Sequence, residues 1–127
     1  MSYRAVLGLA GLVSLAFGLA LVLAARWMMA LYAVHLTSGA VVVTHLLGAS
    51  LLGFTALAWY GRSVTDAGGR RAVVMANLVG DSLGFALALR GQLSGDIGQL
   101  GWSTVAIYLV LALAFGYLQF VRPAANA

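Results

Sequence analysis

The stretch "RAVVMANLVGDSLGFALALR", residues 71 to 90, decides the fold. Between Arg71 and Arg90 the chain is apolar from Ala72 to Leu89. At a rise of about 1.5 Å per residue that run reaches about 27 Å, close to the ~30 Å hydrocarbon core of a bilayer. A carboxylate, Asp81, stands at its centre, with Asn77 one helical turn earlier.

Three other runs have the same character: Ala5 to Ala25, Ala40 to Tyr60, and Trp102 to Val121, the last stopped by Arg122 and Pro123. Each is long enough to span as a helix, which satisfies its own backbone groups as lipid requires. Composition agrees. The chain of 127 residues is 63% hydrophobic and 8% charged, with a mean hydropathy of +1.02. A soluble domain carries about 25% charged residues, so this chain has too little polar surface to face water. The expected fold is all-α: one membrane domain over 1–127, a four-transmembrane-helix antiparallel bundle. The first run follows Arg4, but it is longer than the ~7–15-residue apolar core of a signal peptide. It is expected to remain as a helix.

Arginine placement gives an orientation. All seven basic residues are arginines. Arg4, Arg62, Arg70, Arg71 and Arg122 fall on one side of a four-span layout, Arg26 and Arg90 on the other. The positive-inside rule puts the richer side, with both termini, in the cytoplasm. Trp59, Tyr60 and Phe120 on that side, and Trp27 and Trp102 on the other, suit the headgroup level. Heavy use of Ala, Gly, Leu and Val, with arginine and no lysine, points to a GC-rich bacterial genome. The expected location is therefore a bacterial inner membrane. Arginines scattered singly at span ends are no nucleic-acid surface.

The segment "RWMMALYAVHLTSG", 26–39, is too apolar for a free loop and is expected to form a short interfacial helix, with Trp27, Met28, Leu31 and Tyr32 dipping into lipid. "GQLSGDIGQLG", 91–101, and "GRSVTDAGGRR", 61–71, read as glycine-rich turns, with Asp66 and Asp96 simply solvated. The tail "PAANA", 123–127, is expected to be disordered.

Membrane helices associate through close backbone approach and buried polar contacts. Ser14 and Gly18, Gly53, Gly80 and Gly84, and Gly116 are the small residues expected at helix contacts. On the third span, Asn77, Asp81, Gly84 and Ala88 fall within about 60° of one another at about 100° per residue. Met75, Val79, Leu83 and Leu87 point the other way. Asp81 thus faces the bundle, and Arg90, about 180° around and about 13 Å along, is not its partner. An ionised carboxylate is costly in hydrocarbon, so Asp81 either pairs or holds a proton. Ser14 matches its depth. Tyr108 lies about 4–5 Å and His45 about 7–8 Å further outward. Asp81, Tyr108 and His45 are expected to form a polar chain, either a path or pocket for a small solute or a hydrogen-bonded pin for helix register.

Chemistry beyond that is sparse. Cysteine is absent, which removes disulfides and thiolate sites. No nucleophile motif, carboxylate pair or phosphate loop occurs, so no catalytic residue and no enzyme is expected. No metal site and no cofactor is expected either; His45 as an axial ligand to haem or a chlorin is the weaker alternative, because no second histidine matches its depth.

"HLLGASLLGFTALAWYGR", 45–62, and "LGWSTVAIYLVLALAFGYLQF", 100–120, resemble small bacterial four-helix membrane proteins of unknown function. Shared features are a Gly-Ala pair in the second span, a short charged loop, a glycine-rich third span and an "LGW" entry to the fourth. The resemblance implies the fold and no activity. The leading functional expectation is an accessory or structural subunit that packs against a larger membrane complex or against its own copies. The alternative is a small transporter or ligand-binding membrane protein built on Asp81.

Overall fold

The computed structural model describes residues 1–122, so the tail and the stop at Pro123 lie outside the described residues. Those residues form helices and no strand. α1 runs Tyr3–Leu23, α2 Ala25–Leu31, α3 Ser38–Gly61, α4 Ala67–Leu93 and α5 Gly101–Gly116, and a π-helical turn, Tyr117–Val121, continues α5. Four of these helices, α1, α3, α4 and α5 with its π turn, are long and apolar enough to cross a membrane.

α1, α3 and α4 begin where side chains cap them. Ser2 accepts from the Ala5 amide, Thr37 from Ala40 and Asp66 from Gly69, each satisfying an amide that has no partner within its helix. Asp66 is therefore more than a solvated loop residue. It starts α4 five residues ahead of the expected span and draws Arg70 and Arg71 into the helix. Lipid thickness limits the apolar run, whereas caps limit the helix.

α2 is shorter than the interfacial helix expected over 26–39. Ala24, at φ −144° and ψ 48°, turns the chain out of α1. A left-handed residue, Ala33 at φ 58°, ends α2. The Ala33 amide returns to the Ala30 carbonyl, and the Val34 amide to that of Met29. That pair of bonds is a Schellman ending, with alanine where glycine is usual.

α1 packs along α3, and α4 along α5, while contacts between the two pairs are sparse. Backbones close up where side chains vanish. A Cβ at Gly18 would stand 3.1 Å from the Gly48 carbonyl oxygen, and one at Gly48 would stand 3.0 Å from that of Gly18. The two pairs meet at the arginine-rich end. There Val6, Leu7, Val74, Phe115 and Leu118 are fully buried. The Tyr3 hydroxyl donates to the Gly61 carbonyl at 2.8 Å, and Arg70 lies over the Tyr3 ring. Toward the other end the pairs diverge. Outward faces stay apolar: Leu12, Val43, Leu46, Leu83, Leu87 and Leu113 are all exposed.

Candidate functional site

The divergence encloses a cavity of about 330 Å³ lined by every helix. α4 gives Asn77, Gly80, Asp81 and Ala88; α5 gives Thr104, Ile107 and Tyr108; α1 gives Ser14 and Phe17; α3 gives Ser50 and Phe54. Most of the wall is apolar.

A roof closes the end away from the arginine-rich core. Met28, Met29 and Tyr32 turn inward from α2 and the residue after it. The Tyr32 hydroxyl bonds to Thr104 Oγ1 at 2.9 Å, and the Gly98 amide donates to the Tyr32 carbonyl at 2.8 Å. Gln92 Nε2 donates to the Ile97 and Gly98 carbonyls and holds the 94–100 turn in place. The Gln92 amide fits because Gly101 has no side chain: a Cβ there would sit 2.1 Å from Gln92 Oε1. The 91–101 connection is thus a structured part of the roof. Tyr32 and Met28, expected in lipid, face the cavity instead, while Trp27 and Leu31 are exposed. A seven-residue helix has only one face to bury, and the Tyr32–Thr104 bond fixes which face that is.

Four polar side chains on the wall are hydrogen-bonded, and the Ser14 and Tyr108 hydroxyls have no such bond among the described residues. Asn77 is buried and donates through Nδ2 to the Val73 carbonyl at 2.8 Å. Ser50 donates to Leu46, and Thr104 pairs with Tyr32. Asp81 differs. Its Oδ2 is fully buried and has no hydrogen-bond partner. Buried polar atoms are nearly always paired, so each exception calls for a reason.

Tyr108 is held beside Asp81 by Gly84. A Cβ at Gly84 would lie 2.4 Å from Tyr108 Cε1, so the ring rests on the bare backbone one turn past Asp81. Structure and sequence agree here: Asn77, Asp81 and Ala88 line the cavity, and Met75, Val79, Leu83 and Leu87 are exposed.

α3 does not turn His45 inward as expected. Thr44 and Gly48 are buried, whereas His45 and Ala49 are exposed. Gly48 must meet α1, and Thr44 can be buried because its hydroxyl donates to its own helix at Ala40. His45 therefore stands on the outer face and does not line the cavity, whose wall holds Asp81 and Tyr108 and, bonded to each other, Thr104 and Tyr32. The small residues divide as well. Ser14 lines the cavity, and Gly18 and Gly84 make close approaches. Gly53 has nothing within 4 Å of its Cβ position, and Gly80 and Gly116 have only ordinary contacts at 3.9 Å. These three are not close-packing positions within the chain. Thr104 was readable in principle, one turn before Tyr108 on the same face. Phe54 and Tyr32 had no such signal.

No group of three or more histidine or acidic residues is placed to hold a metal ion among the described residues.

No family model, curated protein or solved structure matches the chain.

Proposed function

We propose that this is a multi-pass membrane protein, non-enzymatic, that binds a small membrane-soluble ligand between its two helix pairs, with Asp81 as the polar anchor. The observation that carries the reading is the buried, unpartnered Oδ2 of Asp81 in the wall of a cavity of about 330 Å³. Ligand sites are concave and mostly apolar, with a few polar groups that fix orientation. An ionisable group inside a membrane segment marks a functional site by default.

Membrane embedding is supported by four long apolar helices whose outward faces carry leucine and valine. The arginine bias supports cytoplasmic termini and, with the composition, a bacterial inner membrane. A subunit role, or a homo-oligomer, rests on the apolar outer surface alone. Lipid accounts equally well for that surface, so the cavity favours ligand binding.

Native mass spectrometry of the protein released from mild detergent tests this. Wild type should retain a small molecule that is lost from Asp81→Asn and from Ser14→Phe, which fills the cavity. Adduct mass unchanged in both variants sinks the reading.

A further inference from the structure

We infer that the ligand is a lipophilic amine that enters sideways from the membrane between α3 and α4, passing Phe54 and Gly80, and gives its nitrogen to Asp81. This rests on the ligand-binding reading above and names the ligand's chemistry and its route.

The route follows from exposure. Of the residues that line the cavity, Leu47, Ser50, Phe54 and Gly80 are the exposed ones, and all four lie on α3 or α4. Those two helices touch little along their length. α1 and α5 also touch little, but none of their cavity-lining residues is exposed, and both ends of the cavity are closed. Tyr32 bonds to Thr104 and Gly98 across the roof, and Phe115, Leu7 and Val74 fill the arginine-rich end. The mouth therefore opens on the flank that the apolar surface gives to lipid, not toward water. Phe54 stands at its edge, with Cζ 3.9 Å from the Cβ position of Gly80. The bare Gly80 leaves the ring room to swing.

The chemistry follows from what Asp81 lacks. No arginine lines the cavity, and Arg90 is exposed on the helix surface. Asn77, Ser50, Thr104 and Tyr32 of the wall already have partners within the protein, the Ser14 and Tyr108 hydroxyls can donate as well as accept, and the Asp81 carboxyl group has a buried oxygen with no donor, so the strongest open demand is for a donor at that carboxyl group. An amine meets it. It crosses lipid as the neutral base and then shares one proton with the carboxyl group. When the proton passes from the carboxyl group to the nitrogen, the pair as a whole stays uncharged and a charge-assisted hydrogen bond joins it. The aromatic faces of Phe17, Phe54 and Tyr108 suit an ammonium group. A carboxylate or phosphate ligand would place like charge against Asp81.

The test uses full-length protein in phosphatidylcholine nanodiscs, labelled with 3-fluorotyrosine. The Tyr108 resonance is assigned by its loss in Tyr108→Phe. The probes are N,N-dimethyldecylamine and 1-decanol, which share a chain and differ in the head. The amine should shift the Tyr108 signal saturably and bind at least about tenfold more tightly than the alcohol, the factor expected when a charge-assisted bond replaces a neutral one. Asp81→Asn should bring the amine to the alcohol's affinity and leave the alcohol unchanged, which also shows that the variant folds. Gly80→Leu should slow association of both probes, and Phe54→Ala should speed it. Equal affinities in wild type, or a preference that survives Asp81→Asn, overturn the amine assignment alone. Association rates unmoved by both mouth variants overturn the lateral route. If neither probe shifts Tyr108, the ligand-binding reading falls with them.

Discussion

The ring of Tyr108 lies on the backbone of Gly84, where any Cβ would stand 2.4 Å from Cε1. That contact sets the phenol beside Asp81 and joins α4 to α5 in the middle of the cavity wall. Gly84→Ala should therefore lower thermal stability in mild detergent by about 1–3 kcal/mol, as overpacking does. Tyr108→Leu in the same chain should recover much of the loss, because it removes the ring edge. Gly80→Ala, with 3.9 Å of room, should cost nothing.

Gly18 and Gly48 each face the other's carbonyl oxygen. Gly48→Ala should force α1 and α3 apart and cost about 1–3 kcal/mol in the same assay. Gly53→Ala is the contrast. Its Cβ meets nothing, so the better helix propensity of alanine should leave stability equal or up to about 1 kcal/mol higher.

Asp81 and Asn77 lie one turn apart on α4 and should respond in opposite ways. Asn77 is buried with its amide donated to Val73, so Asn77→Ala should lose about 1–2 kcal/mol. Asp81 Oδ2 has no partner to lose, and Asp81→Leu should raise the unfolding temperature of the ligand-free protein. A destabilised Asp81→Leu would mean that the carboxyl group carries structure rather than binding. Residues that hold ligands often reduce stability.

Ala33 adopts the left-handed conformation at the end of α2. Ala33→Gly should relieve that strain and stabilise the roof by about 0.5–1 kcal/mol. Hydrogen exchange at the Gly98 amide, which donates to Tyr32, should slow in the variant.

Because the chain has no cysteine, single cysteines report its orientation without background labelling. Thr65→Cys in the α3–α4 turn should be shielded from a membrane-impermeant maleimide in intact cells. Gln99→Cys in the α4–α5 turn should react. The reverse pattern would invert the orientation drawn from the arginines.

The four apolar runs, the inward face of Asn77 and Asp81, and the outward face of Leu83 and Leu87 were all legible in the sequence. Each rests on one-dimensional periodicity: run length against bilayer thickness, and about 100° per residue around a helix. Tertiary structure decided what periodicity leaves open. The facing of α3 turned on the mutual approach of Gly18 and Gly48, a contact between residues on different helices, and it left His45 on the outside. The roof came from Tyr32 meeting Thr104 across the bundle. The cavity exists because the helices pair α1 with α3 and α4 with α5 and meet firmly only at the arginine-rich end. A sequence placed an aspartate deep in an apolar helix; only the packing of the two pairs left its oxygen buried and unpartnered in the wall of a cavity whose exposed lining lies on α3 and α4.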